Sequence, residues 1–80
     1  MKQKTIFIDK YRKAIEQMVQ IRNARNLTQR DLAKILEVPH CYVGRVETFE
    51  RRLDIIEMIN WLKALKVSDK SIKKFFSDLI

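Results

Sequence analysis

The chain has very few of the residues that turn or cross-link a polypeptide, since its 80 residues include one Gly, one Pro and one Cys. A β-rich chain needs many turn residues, so this scarcity favours a fold that is nearly all helix. A single cysteine, Cys41, excludes an intrachain disulfide, and one Cys with one His falls short of the ligand set of a zinc finger. We therefore expect neither a metal site nor a cofactor.

Long apolar runs are also missing from the sequence. No run approaches the roughly 18 residues that span a bilayer, and the opening residues lack the apolar core of a signal peptide. We expect a protein of the reducing cytoplasm, with one core and one domain over residues 1–80. The sequence offers no paired carboxylates, glycine-rich phosphate loop or nucleophile with a base, so an enzyme is not expected.

Acidic residues are scarce in the first part of the chain. The net charge is +7, and residues 1–30 contain eight Lys or Arg against Asp9 and Glu16, whereas residues 31–65 contain five bases and six acids. A lopsided basic chain favours a polyanionic partner, either nucleic acid or an anionic membrane surface. Solvated basic faces are equally common, so charge alone leaves the partner open.

Apolar residues recur at helical spacing in five segments, which predicts a compact five-helix all-α domain. Thr28 with Asp31, and Asp54 with Glu57, match the capping box that begins a helix. Residues 1–4 are expected to be frayed, and residues 5–8 either start the first helix or pack beside it. The predicted helices cover about Asp9–Arg25, Gln29–Leu36, about His40–Thr48, Ile55 to about Lys66, and a last segment from the Ser68 cap to Ile80.

The fourth predicted helix has more apolar residues than one face of a surface helix can bury in so small a domain. Part of that surface is therefore expected to meet another chain in a homodimer. Trp61 and Phe75 could equally belong to the core, as aromatic residues usually do. The candidate interface residues are Met58, Trp61, Phe75 and Ile80.

Residues 28–48, TQRDLAKILEVPHCYVGRVET, read as two short amphipathic helices joined by a turn. The L-T-Q start, the L-A pair, V-x-x-V-E and the following R-R-L-D occur in register. With these motifs the chain resembles the phage-repressor (Cro/repressor, Xre-like) helix-turn-helix family from about Met18 to Val67. The resemblance implies a lambda-repressor-like domain that binds double-stranded DNA. It also implies a homodimeric transcriptional regulator of bacterial or phage origin, which binds an inverted-repeat operator as a repressor or autoregulator. No effector domain is evident in the sequence, so we expect no small-molecule effector.

The resemblance also assigns roles to individual residues. The recognition helix, residues 40–48, would read bases with His40, Cys41 and Arg45, and a planar Arg can bond bidentately to guanine. Gln29 would contact phosphate and brace the recognition helix, while Arg22 and Glu47 would form a structural ion pair. Tyr42 and Gly44 would lie at the groove edge, near phosphate or sugar. Arg30 would join the phosphate contacts, and of Arg51 and Arg52 one would reach phosphate while the other would be structural. The full set of predicted DNA-binding residues is Gln29, Arg30, His40, Cys41, Tyr42, Gly44, Arg45, Arg51 and Arg52.

Two positions depart from the family pattern. Glu37 stands where the family often has Gly, so it either keeps a left-handed backbone, strained by about 1 to 2 kcal/mol, or the turn takes a slightly different form. Phe49 also stands where the family often has Gly, and we expect the loop after the third helix to be re-formed around its buried ring. A second functional hypothesis is an antitoxin-like or accessory interaction protein of the same fold, which acts mainly by binding another protein.

Overall fold

Five helices joined by short loops form the chain in the computed structural model, which describes the backbone of residues 2–80 and the side chains of residues 9–80. No strand occurs within residues 2–80, so the predicted five-helix all-α fold is confirmed. No helix in this range is both long and apolar enough to cross a membrane. The helices are α1 Lys2–Ala24, α2 Gln29–Leu36, α3 His40–Glu47, α4 Ile55–Ala64 and α5 Asp69–Ser77.

Helix α1 begins at Lys2, so residues 5–8 belong to the first helix, which was one of the two alternatives that the sequence left open. Residues 2–8 contain neither Gly nor Pro, and each residue added to an existing helix gains a backbone hydrogen bond. The prediction of frayed residues 1–4 is therefore wrong for residues 2–4, and Met1 lies outside the described residues. The C-terminal end of α1 at Ala24 lies next to the predicted end at about Arg25. Asn26 follows with a left-handed backbone, φ 58°, which is a common way for a helix to end.

Side-chain caps define where α2 and α4 begin. The Thr28 hydroxyl accepts a hydrogen bond from the Asp31 N–H at 3.0 Å, and the Asp31 carboxylate accepts one from the Thr28 N–H at 2.9 Å. Asp54 and Glu57 make the same reciprocal pair of bonds before α4. Both predicted capping boxes are confirmed, and together they fix the directions in which α2 and α4 leave their preceding loops.

The core draws buried residues from all five helices. Leu32 of α2 and Val43 of α3 are fully buried, and Ala33 provides the small side chain that lets two helices approach closely. Leu62 and Leu65, from α4 and its C-terminal cap, close the core from the other side. The α2–α3 unit is thus seated on α4 and held by buried apolar contacts rather than by its loops.

The structure leaves little of the predicted dimer interface at the surface. Met58 and Trp61 of α4 and Phe75 of α5 are buried in the protomer's own core, so they offer almost no surface to a second chain. The reason is that α4 packs against both α2 and α5, which lets it bury more than one face within a single protomer. Of the predicted set only Ile80 is exposed, whereas the large apolar residues that α4 does leave exposed are Ile55 and Ile56.

Candidate nucleic-acid interface

The outward face of α3 presents the three predicted base readers. Val43 and Val46 of α3 are buried, and residues three apart share a helix face, so the opposite face of α3 points to solvent. His40, Cys41 and Arg45 are exposed on that side. Their side chains make no hydrogen bond or ion pair to the rest of the described residues. The three groups are therefore available to an external partner.

The C-terminal end of the same helix is held tightly. Arg22 of α1 donates from Nε to Glu47 Oε2 at 2.7 Å and from Nη2 to Glu47 Oε1 at 3.0 Å. The two side chains are only 10% and 9% exposed, and Arg22 Nη1 also donates to the Leu27 carbonyl at 2.6 Å. The structure thus brings Arg22 and Glu47 together in a bidentate, nearly buried ion pair that joins α1 to the end of α3.

Gln29, the first residue of α2, also bonds to this pair. Its Nε2 donates to Glu47 Oε1 at 2.9 Å, so its amide lies along α3. A Cβ added to Gly44 would come within 3.3 Å of Gln29 Oε1, which shows how closely the Gln29 side chain approaches the α3 backbone. Gly44, predicted at the groove edge, therefore lies at the α2–α3 contact, because only a residue without a side chain leaves full room for Gln29.

Tyr42 was also predicted at the groove edge, and the structure turns it towards α4 instead. Its ring centroid is 5.9 Å from that of Trp61, and its hydroxyl donates to Glu57 Oε2 at 3.0 Å. Burial raises the pKa of Tyr42 above its ordinary value, and the Glu57 carboxylate raises it further. The position explains the difference, since Tyr42 is four residues before the buried Val46 and so borders the core face of α3.

The remaining predicted phosphate contacts lie on both sides of α3. Arg30 is exposed in the first turn of α2. Arg51, in the connector after α3, lies over the Tyr42 ring at 5.2 Å and within 3.5 Å of Glu57 Oε2, with the two ionic side chains 51% and 35% exposed. This loose, solvated pair leaves most of the Arg51 guanidinium accessible.

Arg52 belongs to a cluster that the sequence did not indicate. Its guanidinium lies 4.7 Å from the centre of the Tyr11 ring, and the Arg12 guanidinium lies 4.8 Å from that of Phe49. The Tyr11 hydroxyl accepts a hydrogen bond from the Leu53 N–H at 3.1 Å, which ties α1 to the connector. No local pattern could have revealed this cluster, because α1 and the connector are about forty residues apart in the chain.

Both positions that depart from the family pattern keep a left-handed backbone. Glu37 has φ 59° and ψ 44° between α2 and α3, and Phe49 has φ 68° just after α3. The Glu37 turn is closed by the Val38 N–H, which donates to the Ala33 carbonyl at 3.0 Å. The helix-turn-helix geometry is therefore kept at the cost of strain at two residues that are not glycine.

A pair of short helices crossing over a shared core, with an open outer face on the second, defines a helix-turn-helix protein. The helix-turn-helix family model matches residues 18–71. Among solved structures, an XRE-family like protein from Pseudomonas syringae pv. tomato str. DC3000 is similar, with a TM-score of 0.86 and 30% identity over 96% of this chain and 90% of that chain. No curated protein matches the chain.

The chain therefore belongs to the XRE family of helix-turn-helix proteins, which are DNA-binding regulators. The resemblance drawn from residues 18–67 is confirmed, and the matched region contains α2, α3 and the connector with its two arginines. The matched residues also include all of α4, which packs against α2 of the helix-turn-helix.

Proposed function

We propose that this chain is a sequence-specific transcriptional repressor that binds an inverted-repeat operator as a homodimer. The observation that carries the proposal is the contrast along α3. His40, Cys41 and Arg45 are exposed on its outer face without a side-chain hydrogen bond or ion pair among the described residues, while Glu47 at its C-terminal end is anchored to α1. A helix that is rigidly held and has an open N-terminal face suits insertion into the major groove.

Arg45 is the residue we assign to base recognition. It lies one turn after Cys41 on the exposed face of α3, so the two side chains can contact neighbouring base pairs. A guanidinium fork can donate to both O6 and N7 of guanine, which gives roughly 1 to 3 kcal/mol of discrimination against another base. His40 and Cys41 would contact the base edges nearest the N-terminus of α3.

Phosphate contacts would come from residues on either side of the reading face. Gln29 and Arg30 occupy the first turn of α2, where unpaired backbone N–H groups and the helix dipole favour an anion. Arg51 and Arg52 lie in the connector beyond the other end of α3. Such contacts set the position of the protein on the duplex and make its affinity depend on salt.

The dimer contact would involve the exposed start of α4. Ile55 and Ile56 are 60% and 63% exposed, although both are large apolar side chains. They follow the connector arginines in sequence, with two residues between Arg52 and Ile55. Covering them with a second copy would remove apolar surface from water. Two copies related by a dyad would place their α3 helices about 34 Å apart, one turn of DNA. Repression would follow from occupying an operator near a promoter, at a level set by the protein's own concentration.

Selection of bound sites from a random DNA pool tests this proposal. We expect an enriched inverted repeat with half-sites centred about 10 base pairs apart. Enrichment of a single, unpaired half-site would contradict the dimer while keeping the reader role. Absence of any enriched sequence at near-physiological salt would overturn the proposal as a whole.

The exposed isoleucines also support the alternative, an interaction protein of the same fold. Ile55 and Ile56 could dock on a different protein instead of a second copy. Light scattering of the wild type and of the Ile55→Ser/Ile56→Ser variant separates the two. A dimer that the double variant dissociates supports the repressor. A wild-type monomer without sequence preference in the DNA selection supports the interaction protein.

A further inference from the structure

The cluster of arginines and aromatic rings beside the C-terminal end of α3 forms a cleft of about 130 Å³, lined by Tyr11, Arg12, Phe49 and Arg52. We propose that this cleft binds a phosphate group, with Arg12 and Arg52 as its ligands. The phosphate can come from the DNA backbone or from a small phosphate compound. The DNA source rests on the proposed function, whereas the site itself does not.

The two guanidiniums are placed by aromatic rings rather than by carboxylates. Arg12 lies over Phe49 at 4.8 Å and Arg52 lies over Tyr11 at 4.7 Å. Neither forms an ion pair within the described part of the chain, where the ion pairs are Arg22–Glu47 and Arg51–Glu57. A guanidinium stacked by its flat face keeps the N–H groups on its edge available, and that edge matches the oxygens of a phosphate.

Both rings are themselves held in place. The Tyr11 hydroxyl accepts a hydrogen bond from the Leu53 N–H, and Tyr11 is half-buried against the core. Phe49 is also packed against the core, although its backbone is left-handed with φ 68°. A strained backbone that persists in a bulky residue indicates that the position of the side chain matters. Here that side chain is the platform beneath Arg12.

The position of the cleft suits a backbone phosphate. Helix α3 is about 12 Å long, and Phe49 follows its last residue by two positions, so the cleft lies beyond the end of α3 opposite His40. The major groove is about 12 Å wide. With the N-terminal end of α3 at the base edges, its C-terminal end would approach one of the sugar-phosphate strands that bound the groove. Arg12 would then extend the contact surface from the connector to α1.

Titration with inorganic phosphate, followed by two-dimensional NMR at constant ionic strength, tests the site without DNA. We expect saturable shifts at the backbone amides of residues 49–53 and at the Arg12 Nε–H. Arg12→Ala should weaken phosphate binding about tenfold, the change expected for one charged hydrogen bond. Lys13→Ala is the matched control, because it removes the same charge from an exposed neighbouring residue that does not line the cleft.

Two further variants keep the test decisive. Arg52→Ala removes the phosphate ligand that the connector provides, whereas Arg12→Ala removes the one that α1 provides. If one of the two variants fails to fold, the other still tests whether the cleft binds phosphate. Phe49→Leu preserves the net charge and removes the ring, and it should weaken phosphate binding several-fold through loss of the stacked geometry. Shifts that do not saturate, or equal losses in Arg12→Ala and Lys13→Ala, would overturn the proposed site.

Duplex DNA of random sequence then identifies the source of the phosphate. If the ligand is the DNA backbone, Arg12→Ala should lower the affinity for DNA and reduce the slope of log affinity against log salt by about one, more than Lys13→Ala does. If the ligand is a small phosphate compound, the two variants should bind DNA alike while only Arg12→Ala loses inorganic phosphate. Because phosphate binding is measured separately, failure of the operator selection leaves the test of the cleft intact.

Discussion

At its C-terminal end, α3 is held by three hydrogen bonds to the Glu47 carboxylate, two from Arg22 and one from Gln29. At its N-terminal end, His40 and Cys41 are exposed and unpaired within the described residues. This difference shows how one short helix can be held in a fixed orientation and still leave side chains free to bind a partner. Polar groups used to fix its orientation lie at the end that faces α1, and those left unused lie at the end that faces solvent.

The largest expected effect comes from breaking the anchored end. Glu47→Gln should lower the free energy of unfolding by about 3 kcal/mol, because it leaves the nearly buried Arg22 guanidinium without its counter-charge. Urea denaturation measures the change. Arg51→Ala provides the control, since its partly exposed pair with Glu57 should contribute less than about 1 kcal/mol. Equal losses in the two variants would mean that the anchor is no stronger than a surface pair.

Replacing both members of the Arg22–Glu47 ion pair separates its effect on stability from its effect on DNA binding. The variant with both Arg22→Met and Glu47→Leu should be less destabilised than Glu47→Gln alone, because no buried charge is then left without its partner at the contact between α1 and α3. Its DNA affinity should nevertheless fall, since α3 would lose the contacts that fix its angle. Urea denaturation and a binding titration on the selected operator separate the two effects. Unchanged operator affinity in a folded double variant would argue against a positioning role for the pair.

Changing the exposed face of α3 should affect recognition and leave stability nearly unchanged. Arg45→Ala is expected to relax specificity at one base pair, by roughly 1 to 3 kcal/mol, without shifting the urea midpoint. Binding to operators substituted at each position measures this. Arg52→Ala should instead weaken binding to all sequences alike and flatten the salt dependence. If Arg45→Ala caused an equal loss on every sequence, its assignment as a base reader would be wrong.

The two strained residues that flank α3 should respond differently to glycine. Glu37→Gly should raise the free energy of unfolding by about 0.5 to 1 kcal/mol, because relief of left-handed strain exceeds the added chain entropy of Gly. Phe49→Gly relieves similar strain but loses the packed ring beneath Arg12, so it should lower the stability. Thermal or urea unfolding of both variants measures the contrast. A stability gain in both would show that the Phe49 ring contributes little.

The smallest expected effect concerns the capping box that positions Gln29. The hydrogen bond from the Thr28 N–H, followed by the one involving its hydroxyl, lowers the pKa of Asp31 below its ordinary value of 3.8. A lowered folded-state pKa means that this stabilisation is present above about pH 4 and is lost as the pH falls through the folded-state pKa. Asp31→Asn should therefore lose less stability than the wild type between pH 6 and pH 3. Urea midpoints at the two pH values test this, and identical pH dependence would contradict it.

Local signals predicted most of the helices for a clear reason. Capping boxes at Thr28 and Asp54 and apolar residues at helical spacing are contacts between neighbours in the chain, so they can be seen in the sequence. The sequence left open whether residues 5–8 start α1, because no capping box and no clear apolar stripe marks the beginning of that helix. The burial of Met58 was not predicted, and that of Trp61 and Phe75 was left as an alternative, because it depends on which helices surround α4.

An all-helical domain, its helix-turn-helix and the exposed face of α3 could be predicted from the sequence, since these follow from composition, periodicity and a motif in register. The contacts between side chains of different helices are seen only in the tertiary structure. It turned Tyr42 towards α4, placed Gln29 against Gly44, and stacked Arg12 and Arg52 on aromatic rings. These contacts join residues far apart in the chain, and their geometry depends on how the helices pack around one shared core.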